Sequence, residues 1–226
     1  MIRGGLAQRI LISGASLLGF FALLWLLGHR ETVLFDRAVS HFFAGLPSPV
    51  YLFFSLLCRT GNAEIELPIL LYGGIKLYRQ ASGGGSRETK DRFFLILWAV
   101  VLVLGTLLEH LLKGSLPTYA PGREFRHDPL SGWAVFFPLH LHVHASFPSG
   151  HTFRALMIVL FLRRFASRYL RTALLWAGGI MLGVIVLGWH FSTDVVGSSL
   201  LVLAFSPWFL SSLQTFGIDN QSSLIE

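Results

Sequence analysis

The amino-acid sequence predicts an all-α integral membrane protein of one domain, 1–226, with about six transmembrane helices and an outward-facing polar site at the ends of spans three to six. Two observations carry that expectation. Hydrophobic residues make up 53% of the chain against 13% charged, with a mean hydropathy of +0.62, a balance too apolar for a soluble domain. Apolar runs then recur along the chain, most of them near the roughly 20 residues that cross a hydrocarbon core about 30 Å thick as a helix.

The first span is placed at 9–28. Arg3 and Arg9 stand before it as in a secretory signal, but the run ends in "LLGHRE" without a small-residue cleavage site, which predicts an uncleaved helix. From 29 to 62 apolar residues alternate with charges and histidines, the pattern of interfacial or partly re-entrant helices. Span two is placed at 63–78, and the following "RQASGGGSRETKDR" reads as a flexible linker. Span three covers 93–112. The connection from 113 to 147 is far longer than most and is expected to carry function. Spans four, five and six are placed at 149–164, 170–189 and 195–213, with no internal repeat.

Charge sets the expected orientation. The net charge of +6 could point to nucleic acid, but the cations cluster between apolar runs instead of lining one polar face, so no nucleic-acid partner is expected. One side of the membrane collects Arg3, Arg9, Lys76, Arg79, Arg87, Lys90, Arg92, Arg163, Arg164, Arg168 and Arg171; the other has Arg30, Arg37, Arg59, Lys113, Arg123 and Arg126. The positive-inside rule then places both termini in the cytoplasm of an inner (plasma) membrane protein, with 113–147 facing the periplasm or exterior. Cys58 is the only cysteine, so no intramolecular disulfide forms.

Three polar groups meet on that outer side. Lys113 closes span three, "PSGH" (Pro148 to His151) opens span four, and "HFSTD" (His190 to Asp194) joins spans five and six. Each has a plain structural role when taken singly: a snorkelling lysine, a serine cap, a hydrogen bond at i,i+4 spacing. Together they suit a phosphate monoester or diphosphate at a membrane surface. The backbone N–H groups of Ser149 and Gly150 at a helix N-terminus attract an anion, and Lys113 adds a point charge. His190, oriented by Asp194, can attack phosphorus, and His151 is free to protonate the leaving oxygen.

This set resembles the type-2 phosphatidic acid phosphatase superfamily, which also includes vanadium-dependent haloperoxidases. "SFPSGHTFRA" is a full second motif, "HFSTD" supplies the His and Asp of the third, "KGSLPTYAP" supplies the Lys and Pro of the first, and "TGN" (Thr60 to Asn62) resembles a further common feature; the resemblance covers about 36–206. It implies a membrane lipid phosphatase without metal or cofactor. His190 is then the nucleophile that forms a phosphohistidine, Asp194 its partner, His151 the general acid, and Lys113, Ser149 and Gly150 phosphate binders.

Two phosphate-binding arginines of the family pattern are absent, with Ala120 in the first motif and Gly183-Val184 where Ser-Arg is expected in the third. Losing one preorganised donor to a developing oxyanion costs about 10²- to 10³-fold in rate. Replacement must come from upstream, because the chain has no lysine or arginine after Arg171. Arg154 lies one helical turn below His151, inside an apolar span, and is read either as the replacement clamp or as a structural ion pair, with Glu109 as a candidate partner. Arg123 and Arg126 in the long connection are further candidates, against a solvated-loop reading.

Three functions remain open at this level. One is an active phosphatase acting on an isoprenoid diphosphate, a phosphatidyl phosphate or a lipid A phosphate. The second is a phosphotransferase of the same family, and the third a catalytically weak relative that binds headgroups or proteins. His140, His142 and His144 alternate as zinc or copper ligands would, but with no accompanying cysteine they are read as an interfacial loop and no metal site is assigned. Tyr119, Phe125, Trp133, Phe136 and Phe137 are read as an aromatic belt, with shaping of the headgroup pocket as the alternative.

Overall fold

The computed structural model describes residues 5–80, 86–115, 120–130 and 145–211. Among these the chain is all helical: α1 (Leu6–Gly28), α2 (Val33–Phe43), α3 (Ser48–Arg59), α4 (Ala63–Gln80), α5 (Ser86–Ser115), α6 (Gly150–Phe165), α7 (Leu170–Val186) and α8 (Ser192–Ser211). Large apolar side chains stay exposed around the outside, with Leu18, Leu34, Phe42 and Leu175 each more than 70% accessible. A soluble protein does not tolerate such a shell, whereas lipid accepts it.

The helices at Leu6–Gly28, Asp91–Ser115 and Ser167–Val186 have both the length and the apolar composition to cross a membrane. Helices α2 and α3 meet at a bend of 116°, as in a broken span or a re-entrant loop. Helix α6 has 16 residues, about 24 Å at 1.5 Å per residue, which is shorter than a hydrocarbon core. The stretch read as a flexible linker narrows, since α4 continues to Gln80 and α5 already begins at Ser86.

Helix α6 lies at the centre. One side joins Phe153, Met157 and Phe161 to Phe94, Trp98 and Leu102 of α5 and Leu201 of α8, and the Trp98 indole donates to the Met157 carbonyl at 2.9 Å. The other side joins Ala155 and Val159 to Cys58 of α3 and to Ala177, Ile180 and Val184 of α7. Helix α1 closes the bundle against α8, where Ser13 Oγ donates to the Ala204 carbonyl at 2.6 Å and Trp208 Nε1 donates to Ser13 Oγ at 3.0 Å. Because α5 ends, and α4, α6 and α8 begin, at one end of this packing, their polar terminal residues converge there.

Candidate active site

Ser149 starts α6 with an extended backbone, and its hydroxyl accepts the Thr152 N–H at 3.4 Å and the Thr152 hydroxyl at 3.1 Å. Its own N–H donates to the Asp194 carbonyl at 3.2 Å, and its carbonyl accepts Ser198 Oγ at 2.8 Å. Serine, threonine and asparagine are preferred caps for this reason, satisfying donors the helix leaves orphaned. Both backbone polar groups of Ser149 therefore help to join the N-terminus of α6 to that of α8. Among the described residues, the amides left open to an anion are those of Gly150 and His151, where the sequence had pointed to Ser149 and Gly150.

Helix α7 ends in a turn that aims His190. Gly188 has φ +65°, and a Cβ there would collide with the Phe125 carbonyl, so both conformation and space demand glycine. The N–H groups of Trp189 and His190 both donate to the Val184 carbonyl, at 3.0 and 3.1 Å. His190 Nδ1 lies 3.2 Å from Asp194 Oδ2, which also accepts the Phe191 N–H at 2.8 Å. The carboxylate can only accept at Nδ1, which leaves the His190 Nε2 lone pair available. Asp194 is fully buried and His190 nearly so.

His151 faces this pair, its ring centroid 6.4 Å from that of His190, with Trp189 beside it at 5.4 Å. Its Nε2 lies 3.0 Å from Oδ1 of Asn62, so the ring N–H donates to the amide oxygen. Asn62 is held at the start of α4, where its carbonyl accepts the Glu66 N–H at 3.0 Å.

The charged groups form a second layer. Lys113 Nζ donates to Glu109 Oε1 at 2.6 Å. Arg154, buried one turn below His151, places Nε 3.3 Å from Glu66 Oε2 and Nη1 3.6 Å from Glu109 Oε2. The Glu109 carboxylate packs against Gly150, in the space a Cβ would fill. Two cations thus meet two carboxylates, and the structural ion pair considered for Arg154 is present with two partners.

Asp36 of α2 is fully buried and serves α8 from outside the helix. Its Oδ1 accepts Ser192 Oγ at 2.7 Å and the Thr193 N–H at 3.1 Å, and its Oδ2 accepts Thr193 Oγ1 at 2.6 Å. Arg123 and Arg126 are exposed and unpaired among the described residues, on a loop docked beside the site. That loop is fixed by the His127 N–H to the Leu187 carbonyl (3.1 Å), by stacking of His127 on Tyr51 (4.8 Å) and by Asp128, which accepts the Ser55 hydroxyl. Phe125 is buried against His41 and so stands outside any aromatic belt. His140, His142, His144, Tyr119, Trp133, Phe136 and Phe137 lie outside the described residues.

Sequence reading pointed to His151, His190, Asp194, Lys113, Ser149, Gly150 and Arg154, and the fold gathers them at one end. It missed Asp36 and Glu66 and assigned no role to Asn62. Glu66 carried a usable signal as an ionisable residue within an apolar span.

The PAP2 superfamily model matches residues 94–218, more than half of the chain. The chain belongs to the PAP2 superfamily. No curated protein matches it by sequence. Among solved structures it is similar to one described as the first transmembrane PAP2-type phosphatidylglycerolphosphate phosphatase, from Bacillus subtilis. That similarity has 17% identity and a TM-score of 0.62, and covers 92% of this chain and 98% of the other. In this PAP2 protein, the positions where the third motif expects Ser-Arg are closed by apolar packing. Val184 is fully buried, and a side chain at Gly183 would meet Cys58 and Phe54 of α3.

Proposed function

We propose that this protein is a membrane lipid phosphatase acting on a phosphate monoester or diphosphate of an amphiphilic lipid through a phosphohistidine intermediate. The observation that supports it most is the buried His190–Asp194 pair facing His151 across 6.4 Å, beside the open amides of α6. His190 Nε2 attacks phosphorus, the bond to the leaving oxygen breaks, and His151 supplies the proton that oxygen needs. Asp194 holds the Nδ1 proton and offsets the charge developing on the ring. Water then attacks the phosphohistidine, gives its proton to His151, and orthophosphate leaves. Gly150 and His151 amides, with Lys113 and Arg154, hold the phosphoryl oxygens; Arg123 and Arg126 reach the headgroup from the docked loop. No metal or cofactor takes part. The site faces the periplasm or exterior of the plasma membrane, with both termini cytoplasmic, and meets headgroups at the interface while the tails stay in the bilayer.

A second reading, a catalytically weak relative that binds headgroups or partner proteins, is favoured by one observation: Arg154 is already paired to Glu66 and Glu109. One experiment separates the two. Purified protein is incubated, with EDTA present, with isoprenoid diphosphates, phosphatidyl phosphates including phosphatidylglycerophosphate, and lipid A phosphates, and released phosphate is measured. The phosphatase reading expects turnover that falls at least about 10³-fold in His190→Ala. Turnover that survives His190→Ala removes the mechanism, and no turnover on any substrate selects the binding reading.

A further inference from the structure

Lys113, Arg154 and the N-terminus of α6 are the three positive features that a substrate phosphate would use, and one carboxylate of the protein already touches all three. Glu109 Oε1 accepts Lys113 Nζ at 2.6 Å, its Oε2 lies 3.6 Å from Arg154 Nη1, and the carboxylate packs against Gly150. Glu109 is buried, and Oε2 accepts no hydrogen bond among the described residues. Glu66 takes the remaining side of Arg154 at 3.3 Å, so the guanidinium is flanked by a carboxyl group on each side.

We propose that Glu109 is a specificity-determining residue, a built-in counter-anion that competes with phosphate for Lys113, Arg154 and the α6 amides and thereby rejects water-soluble phosphates in favour of lipid-anchored ones. The inference rests on the phosphatase reading of the site. A phosphate dianion brought against a buried carboxylate is repelled where screening by water is weak. A soluble phosphate binds by charge alone and meets that repulsion in full. A lipid phosphate is held at the membrane by its tails, so its high effective concentration at the site offsets the weakened clamp. The same competition speeds release of orthophosphate after each turnover.

The test is titration of the full-length protein in detergent micelles with inorganic phosphate, read by calorimetry, for wild type and Glu109→Gln. Hydrolysis of p-nitrophenyl phosphate and of a lipid phosphate is measured alongside. Wild type is expected to bind inorganic phosphate only at millimolar concentration, and Glu109→Gln at least about tenfold more tightly, as removal of one close like charge requires. The ratio of soluble-ester to lipid turnover rises in the variant. A folded Glu109→Gln with unchanged or weaker phosphate affinity overturns the proposal. If that variant does not fold, wild type decides alone, because a phosphate Kd tighter than about 1 mM overturns the proposal and a weaker one upholds it. Calorimetry needs no turnover, so absence of lipid hydrolysis removes the phosphatase reading and leaves the phosphate titration to decide this one.

Discussion

Arg154 has the environment that most constrains chemistry at this site. It is buried in α6 between Glu66 of α4 and Glu109 of α5, so a single guanidinium links three helices. Burying such a charge is tolerable only because both carboxylates face it. Truncation in Arg154→Ala leaves Glu109 with Lys113 and strips Glu66 of the guanidinium beside it, and the expected cost is about 3–5 kcal/mol. Thermal unfolding in micelles should show a large fall in Tm for Arg154→Ala and a smaller one for Arg154→Lys, which keeps the charge without the planar fork. A wild-type Tm in Arg154→Ala would mean that the ion pairs carry no structural weight. Gly188 is constrained by geometry instead of charge: its positive φ and its contact with the Phe125 carbonyl set the turn that presents His190.

At the scale of elements, the residues proposed to react sit on helix ends that are tied to each other. The Ser149 N–H bonds the Asp194 carbonyl, and Ser198 Oγ bridges the Ser149 and Asp194 carbonyls at 2.8 and 3.0 Å. Helix α2 then caps α8 through Asp36, which holds Ser192 and Thr193 in the turn that also carries Asp194. Removing this carboxylate in Asp36→Ala loses a cap and strands the buried Thr193 hydroxyl and the half-buried Ser192 hydroxyl, an expected loss of about 1–3 kcal/mol. It should also lower kcat of lipid turnover with little change in KM, since His190 and Asp194 lose alignment while the headgroup contacts remain. Asp36→Asn, which keeps one acceptor, should recover part of both. An Asp36→Ala variant with full kcat would show that α8 is positioned without α2.

The whole molecule is a bundle whose outer shell is apolar and whose two ends each carry cations. The site end holds Lys113, Arg123 and Arg126, while the opposite end holds Arg79, Arg163 and Arg164, the last ion-paired to Asp91 of α5. Cys58 is the sole cysteine and is fully buried, so labelling of introduced cysteines has a low background. A membrane-impermeant maleimide should label Arg123→Cys in cells or spheroplasts with an intact plasma membrane and label Arg79→Cys only after permeabilisation. Both positions are exposed. The reverse pattern would invert the proposed orientation.

Hydropathy and motif spacing made the helical membrane class, the His190–Asp194 pair and the serine cap legible in the sequence alone. Each is a local property: an apolar run declares its own solvent, and His190 and Asp194 are one helical turn apart. Helix packing settled the rest. Gly183 and Val184 look like a simple motif loss until Cys58 and Phe54 are seen filling the space beside them. Asp36 lies 156 residues from Ser192, and Arg154 lies far along the chain from Glu66, so no periodicity links either pair. In the linear chain Arg154 reads either as a clamp or as an ion pair with Glu109. Its charge is balanced because α4, α5 and α6 bring Glu66 and Glu109 within 3.3 and 3.6 Å, and a buried arginine takes the nearest carboxylates that packing supplies.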